Sequence, residues 1–512
     1  MKHFNLFIAF ILLATIISCQ KNDSKLNASG SGVQNPETII PKTRINSFIY
    51  EQLAKTQHFE WKSAGDSLLW SALVQGDSVL SVGYQPAGFT NLADQMHTVN
   101  VGTESWKSAR NQVMDLILRN EKKTGSTDKD LLVFKENRLP YFTVKVSNYA
   151  TIKALRASNL VRYVEPIGYG KFMNNGTTKA GVTTESSVLT FGCGTNTAEP
   201  GLIAGVDYTN ITPGAKQSWN YAYHKIPQAW ARSTGQGVKV MIIDTGASAD
   251  QDNLGANFNQ GASSGRSIEK VVTFPGGTPA DLCGHGTAMS GALAAPRGTD
   301  GASAGIAYNS NLIVVHAAEN VVILSPESVQ GVTDAYLLGG DRADVKIISM
   351  SMGTIITVTQ INDAIIYAYN KGKLMFCAAG TSNSSIPNWI GVIYPANQPQ
   401  VVAVTGIKDN LTERCVDCHV GSQVAFTIVM EKTSTGVTPL SLAMTGDAPS
   451  TVGGSSVSTA SCAGIAALVW SKYPNYPKDS ILARMKRASS LANNKSSTFG
   501  WGIPDADAAV GQ

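Results

Sequence analysis

Residues 238–246 read VKVMIIDTG, an aliphatic run with one polar interruption at Lys239 that ends on an aspartate and a glycine. A strand that is apolar on both faces belongs inside a parallel sheet covered by helices on either side. A carboxylate directly after such a strand lies at the edge where open α/β sheets gather their functional groups. Taken alone, Asp244-Thr245-Gly246 also fits an ordinary turn. Apolar runs of the same kind recur at 312–316, 345–350, 373–377 and 401–405, with helical spacing between most of them, as at 328–338 and 359–371. The alternation predicts an α/β fold over 215–512, a parallel sheet flanked by helices on both faces.

Two later stretches carry chemistry of their own. Gly284-His285-Gly286-Thr287 sets a histidine between two glycines and leads into AMSGALAA, small residues that let a helix lie close to a sheet. A histidine without those flanks would read as a cap or a core residue. Residues 453–468 read GGSSVSTASCAGIAAL, a polar, glycine-led start running into an apolar helix of small residues. The first turn of a helix leaves backbone N–H groups unpaired. Those donors and the helix dipole stabilise the negative charge of a tetrahedral intermediate. A serine there also serves as a plain N-cap, and composition alone does not choose among Ser455, Ser456 and Ser458. The order along the chain is Asp, His, Ser, as in the subtilisin type of triad; α/β-hydrolases run Ser, Asp, His and carry G-x-S-x-G. Residues 454–458, GSSVS, do not match that elbow, which counts against a serine esterase.

These three blocks, IIDTG at 242–246, GHGT at 284–287 and GSSVSTASCAGIAAL at 454–468, resemble the three signature blocks of the subtilase family. The resemblance runs from about residue 219 to 508. It implies a serine endopeptidase with Asp244, His285 and Ser456 as its triad. Ser455, Val457 and Ala460 stand where the family usually has Thr, Met and Pro. Ser351, Met352 and Gly353 resemble the strand that pairs with the substrate backbone, and Ala379 and Gly380 belong to a block similar to the family's A-A-G-N. The Asn of that block donates to the oxyanion, and Thr381 takes its place here. Losing one such donor costs ~10²–10³ in turnover. A slower or more selective enzyme is expected, with Thr381 and the Ser456 N–H as oxyanion donors; Ser382 or Asn383 would substitute for Thr381 if the loop ran differently. The competing expectation is a low-turnover surface lipoprotein of this fold that mainly binds peptides or partners. The resemblance implies no obligatory cofactor. Structural calcium accompanies the family, but no ligand set for it maps onto this sequence.

Upstream, Lys2 and His3 precede an apolar run from Phe4 to Ile17, the layout of a secretory signal peptide. Ile16-Ile17-Ser18-Cys19 resembles a bacterial lipobox, which predicts a leader over 1–18 and acylation of Cys19. Residues 19–45 read as a polar tether. A unit over 46–172 shows a helix at 106–120, a strand at 141–146, a helix at 150–157 and a strand at 160–164. That unit resembles the propeptide of subtilases, which assists folding and inhibits the enzyme. Residues 173–214 connect it to the peptidase domain. The expected setting is export to a bacterial cell envelope, periplasmic or surface-exposed, with a membrane held through the lipid, protein or peptide substrates and a monomeric state. Charged residues make up 15% of the 512, and the net charge of +4 is spread without a basic block, so nucleic acid is not an expected partner.

Six cysteines follow Cys19. In an exported chain they permit disulfides, and a bridge from Cys283 to Cys193 is one option. Cys377 and Cys462 sit in apolar runs and read as buried thiols. Cys415-Val416-Asp417-Cys418-His419 matches the haem-attachment spacing C-x-x-C-H but is expected to form a local disulfide or a redox-sensitive loop. His224 and His316 are expected to be structural.

Overall fold

The computed structural model describes residues 38–121, 127–170, 193–194, 196–382 and 386–511. Cys19, the leader and most of the tether lie outside the described residues. Among the described residues, no helix is long and apolar enough to cross a membrane.

The N-terminal unit opens with a helix, Lys42–Thr56, slightly ahead of the expected start. It contains strands β1 (Val79–Tyr84), β2 (Tyr141–Lys145) and β3 (Val161–Pro166) in an antiparallel sheet of order β2-β1-β3. The helices expected at 106–120 and 150–157 span Glu104–Glu121 and Tyr149–Ala157. The central strand β1 was not expected from the sequence; it is fully buried but contains Ser81 and Gly83, which blur its apolar pattern. The connecting segment is partly structured: β4 (Tyr208–Ile211) forms a hairpin with β5 (Ala215–Ser218).

The larger unit carries β6 (Lys239–Asp244), β7 (Ile268–Val272), β8 (Asn311–His316), β9 (Val345–Met350), β10 (Leu374–Ala378), β11 (Val402–Lys408) and β12 (Val424–Glu431). They form one seven-stranded sheet, order β12-β11-β10-β9-β6-β8-β7, in which every neighbouring pair is parallel. The five strands expected from the sequence are its inner five. The edge strands β7 and β12 were missed; β7, with Glu269 and Lys270, is only half-buried along its length and lacks the apolar signal of a covered strand.

Alternation along the strands divides the core. Met241, Ile243, Ile348 and Met375 face one layer, whereas Val240, Ile242, Ile347 and Phe376 face the other. The first layer is continuous with the N-terminal unit, reaching Ile45, Leu53, Trp61 and Phe142 through the helices Pro326–Asp341 and Thr359–Asn370. Polar contacts pin this junction. Arg162 makes a two-pronged bond to the buried Asp363 at 2.8 and 2.9 Å. Val358 gives the Thr359–Asn370 helix no side-chain cap; the Glu165 carboxylate instead accepts from the Thr359 N–H at 2.8 Å and from its hydroxyl, where helix N-termini favour negative charge. Burial pushes the Glu165 carboxyl up to about 7, against the pull of those hydrogen bonds.

Strand order reverses at β6: the chain leaves it towards β7 and β8 on one side and then crosses to β9 on the other. The crevice beyond the carboxyl ends of β6 and β9 is a topological switch point, where open α/β sheets place their sites. The helices His285–Ala294 and Gly454–Lys472 both start there and pack against each other.

Candidate active site

Asp244 is the last residue of β6 and is fully buried. Its Oδ1 accepts from the Thr245 N–H at 2.8 Å and lies 2.7 Å from His285 Nδ1. A carboxylate only accepts, so Nδ1 carries the proton and Nε2 is the ring's free base. The other oxygen, Oδ2, is buried without a hydrogen-bond partner. Its charge is therefore compensated through Oδ1 alone, by the imidazole and by Thr245. Burial alone would lower the His285 pKa; the Asp244 carboxylate, by charge and hydrogen bond, and Asp281 more than offset this, so it is raised above the ordinary histidine value.

The glycines around His285 answer to the backbone. Gly284 adopts φ +88°, a left-handed conformation that side chains rarely take. A Cβ on Gly286 would sit 2.2 Å from the Gly246 carbonyl, so only glycine lets the histidine helix approach the turn after β6. Asp281, not singled out from the sequence, ties this corner together. It is buried and accepts from Thr245 Oγ1 (2.9 Å), the N–H groups of Cys283 (2.9 Å), Gly284 (2.7 Å) and Thr287 (2.8 Å), and Thr287 Oγ1 (2.7 Å). The signal was present as D-x-x-x-H, four positions before the histidine. Cys283 is bonded to Cys193, and Asn196 donates to the Gly284 and Leu442 carbonyls at 3.4 and 2.9 Å, strapping the connecting segment to this corner.

Ser456 lies in the first turn of Gly454–Lys472, after the uncapped Gly453. Its hydroxyl donates to the Ser351 carbonyl at 3.4 Å, while the Ser351 hydroxyl donates to the Ser456 carbonyl at 3.0 Å. The Ser456 hydroxyl is thus turned towards β9, and no hydrogen bond joins it to His285. Both residues line the same cleft of about 390 Å³. Hydrogen bonds between catalytic groups are commonly loose without substrate, and rotation about one side-chain bond redirects a hydroxyl.

The opposite wall is the turn after β10. Ser351, Met352, Gly353, Gly380, Thr381 and Ser382 all line the cleft. Ala379 does not: it is fully buried, its N–H on the Val404 carbonyl and its carbonyl on the Ile393 N–H, and Ala378 lines the cleft in its place. Thr381 Oγ1 accepts from the Ser455 N–H and lies 3.1 Å from Ser455 Oγ, which accepts from the Gly380 N–H. Ser382 is committed elsewhere, to His419, and Asn383 lies outside the described residues. Val322 and Ile393, also unforeseen, add apolar lining; Val322 pairs with Gly353 as a parallel bridge.

The remaining cysteines and histidines have structural settings. Cys415 and Cys418 form a disulfide, so their thiols are not available to a haem. Cys377 and Cys462 are buried free thiols, and burial pushes Cys377 up to about 12, which leaves it inert. His224 is buried between the Pro504 carbonyl and the Val429 N–H, and burial lowers its pKa to about 4. His316 stacks on Phe274.

Known proteins share sequence and fold with this chain. Subtilisin DY from Bacillus licheniformis is 32% identical over 286 residues, covering 54% of this chain and 92% of that protein. Thermitase from Thermoactinomyces vulgaris is 28% identical over 195 residues, 38% of this chain and 64% of thermitase. Fervidolysin from Fervidobacterium pennivorans, described as a keratinolytic enzyme related to subtilisin, is similar in fold, with a TM-score of 0.57 at 16% identity over 85% of this chain and 61% of that one. Residues 235–502, just over half of the chain and the stretch that carries Asp244, His285 and Ser456, match the Subtilase family, and the chain belongs to that family of serine endopeptidases.

Proposed function

We propose that Asp244, His285 and Ser456 are the catalytic triad of this endopeptidase. The observation that carries the reading is the buried 2.7 Å Asp244–His285 pair opening on the same cleft as the Ser456 hydroxyl. His285 Nε2 takes the Ser456 proton as Oγ attacks the peptide carbonyl. The carbon–oxygen double bond opens to a tetrahedral oxyanion, and His285 becomes an imidazolium held by Asp244. Collapse breaks the C–N bond, His285 Nε2–H protonates the leaving amine, and Ser456 keeps the acyl group. Water, deprotonated by His285, then releases the acid and restores the serine.

The oxyanion falls to the Ser456 N–H and the Thr381 hydroxyl. The Ser455 N–H donates to Thr381 Oγ1, and Ser455 Oγ lies 3.1 Å from it; when the Ser455 hydroxyl is the donor of that pair, the Thr381 proton is free for the cleft. The Ser351–Gly353 segment and Gly380 flank the substrate backbone. No cofactor enters these steps. We assign the unit ending at about residue 172 the part of a folding and inhibitory propeptide; its shared apolar core with the larger unit and the Glu165 and Arg162 contacts support this. Export with acylation of Cys19 and attachment to a membrane by that lipid rest on the leader sequence alone, and the enzyme is taken as a monomer.

Two measurements test the reading. A fluorophosphonate probe should label Ser456, and Ser456→Ala should remove both labelling and peptide cleavage, a loss of roughly 10⁶ in turnover. Labelling that persists in Ser456→Ala would overturn the assignment. Mass spectrometry of the mature N-terminus should find a diacylglyceryl group on Cys19; an unmodified cysteine would refute the anchor.

A further inference from the structure

The run Cys415-Val416-Asp417-Cys418-His419 has no task in peptide hydrolysis itself, yet it is built against the cleft. The Cys415–Cys418 disulfide closes it into a tight hairpin. Each of the three residues that form the wall after β10 is held by it. The His419 N–H donates to the Gly380 carbonyl at 2.9 Å; Thr381 pairs with Cys418 as an antiparallel bridge; the Ser382 N–H donates to the Asp417 carbonyl at 2.7 Å.

The His419 side chain adds a second brace. It is fully buried, with Nδ1 2.8 Å from the Gly391 carbonyl and Nε2 3.1 Å from Ser382 Oγ. A carbonyl only accepts, so Nδ1 carries the proton and Nε2 accepts from the Ser382 hydroxyl. The ring face also bounds Gly380, where an added Cβ would lie 3.0 Å from Nδ1. Behind it, Thr405 Oγ1 donates to the His419 carbonyl at 2.6 Å and Arg414 to the Cys418 carbonyl at 3.2 Å. The Ser382 proton is thereby committed to His419, and Thr381 is left as the hydroxyl of this turn that lines the cleft without a bond to the hairpin's side chains.

We propose that the disulfide-closed hairpin 415–419 is a positioning element for the oxyanion wall, and that His419, acting through Ser382 and Gly380, is the positioning residue that keeps the Thr381 hydroxyl aimed into the cleft. The proposal rests on the reading of Thr381 as an oxyanion donor. A fixed donor is worth far more than a mobile one because it costs no reorganisation during the reaction.

The test uses the processed enzyme, a peptide anilide substrate and a peptidyl trifluoromethyl ketone, whose adduct with the serine carries an oxyanion. His419→Ala should lower kcat about tenfold, a fraction of the loss for deleting a donor outright, with KM within about twofold. The ketone should bind more weakly by the same factor as kcat/KM falls. His419→Asn, with an amide N–H near the place of Nδ1–H, should recover part of the loss. Ser382→Ala, a milder change, should lower kcat by a few-fold and keeps the test open if His419→Ala does not fold. In a Thr381→Val background, His419→Ala and Ser382→Ala should add less than about twofold, since they act through the same hydroxyl. Unchanged kcat in folded His419→Ala or Ser382→Ala, losses confined to KM, or equal losses with and without Thr381 would overturn the proposal. A Thr381→Val enzyme with full kcat would instead remove the reading of Thr381 on which it rests.

Discussion

One wall of the cleft is His285, and the group behind it, Asp244, Thr245, Asp281 and Gly286, is bonded almost wholly within two short segments, 244–246 and 281–287. The other, made of Gly380, Thr381 and Ser382, takes its support from Ser455 and from the hairpin at 415–419, which belong to separate parts of the chain. The difference follows from what each wall must do. Proton transfer needs particular side chains at particular backbone conformations, and these compress into D-T-G and G-H-G-T. Holding a donor at one point needs only a stiff turn, which can be braced in many ways. Acid–base walls of this kind should tolerate substitution of their own residues badly, and oxyanion walls should respond to changes far away in sequence.

The largest effect expected from this contrast is at Asp244. Asp244→Asn should cost roughly 10⁴ in kcat, because an amide favours the wrong imidazole tautomer; a loss below about tenfold would break the acid–base role of that wall. Thr381→Val should cost about 10², at the lower end for one oxyanion donor, with KM little altered. A larger loss in Thr381→Ser than in Thr381→Val would show that the hydroxyl is not the working group.

Smaller, and read from pH, is the effect of Asp281. The proposed mechanism needs neutral His285, so the acid limb of kcat/KM should lie above the ordinary histidine pKa of about 6.5, since the His285 pKa is raised. Asp281→Asn removes a negative charge that favours the imidazolium, so the limb should move to lower pH; a shift upward would show that the Asp281 charge does not act on the imidazole. The smallest kinetic effect is expected from Cys193→Ser. The bridge to Cys283 closes a separation of 90 residues, and its loss should cost about 2–4 kcal/mol of stability, measured by thermal unfolding. Because the hydrogen bonds donated to Asp281 by the Cys283, Gly284 and Thr287 N–H groups still hold the histidine turn, kcat should stay within about threefold.

Much of this could be read in the chain itself. The five inner strands announced themselves through uninterrupted apolar runs, because a strand covered on both faces has no polar positions to spare. Edge strands β7 and β12 and the central strand β1 of the smaller sheet did not: β7 mixes charges into a half-covered strand, and β1 carries Ser81 and Gly83. Asp244, His285 and Ser456, the proposed triad, were legible through the resemblance of three short blocks, and Gly284 and Gly286 are glycines because a left-handed turn and a close helix approach leave few permitted residues. Asp281 stood in plain view but outside the motif, its worth visible only when five donors converge on it.

Hydrophobic period was enough to set the inner strands of the sheet, and the resemblance of three short blocks was enough to single out the proposed triad residues in their order, because each depends on neighbours a few positions away. Other outcomes were settled only by folding in three dimensions: which cysteines join, that Ala379 turns into the sheet while Ala378 faces the cleft, that Ser382 is spent on His419, and that the N-terminal unit shares a core with the helices beside the sheet. Those depend on which distant groups meet and in what direction their hydrogen bonds point, and no period or spacing along a chain encodes that.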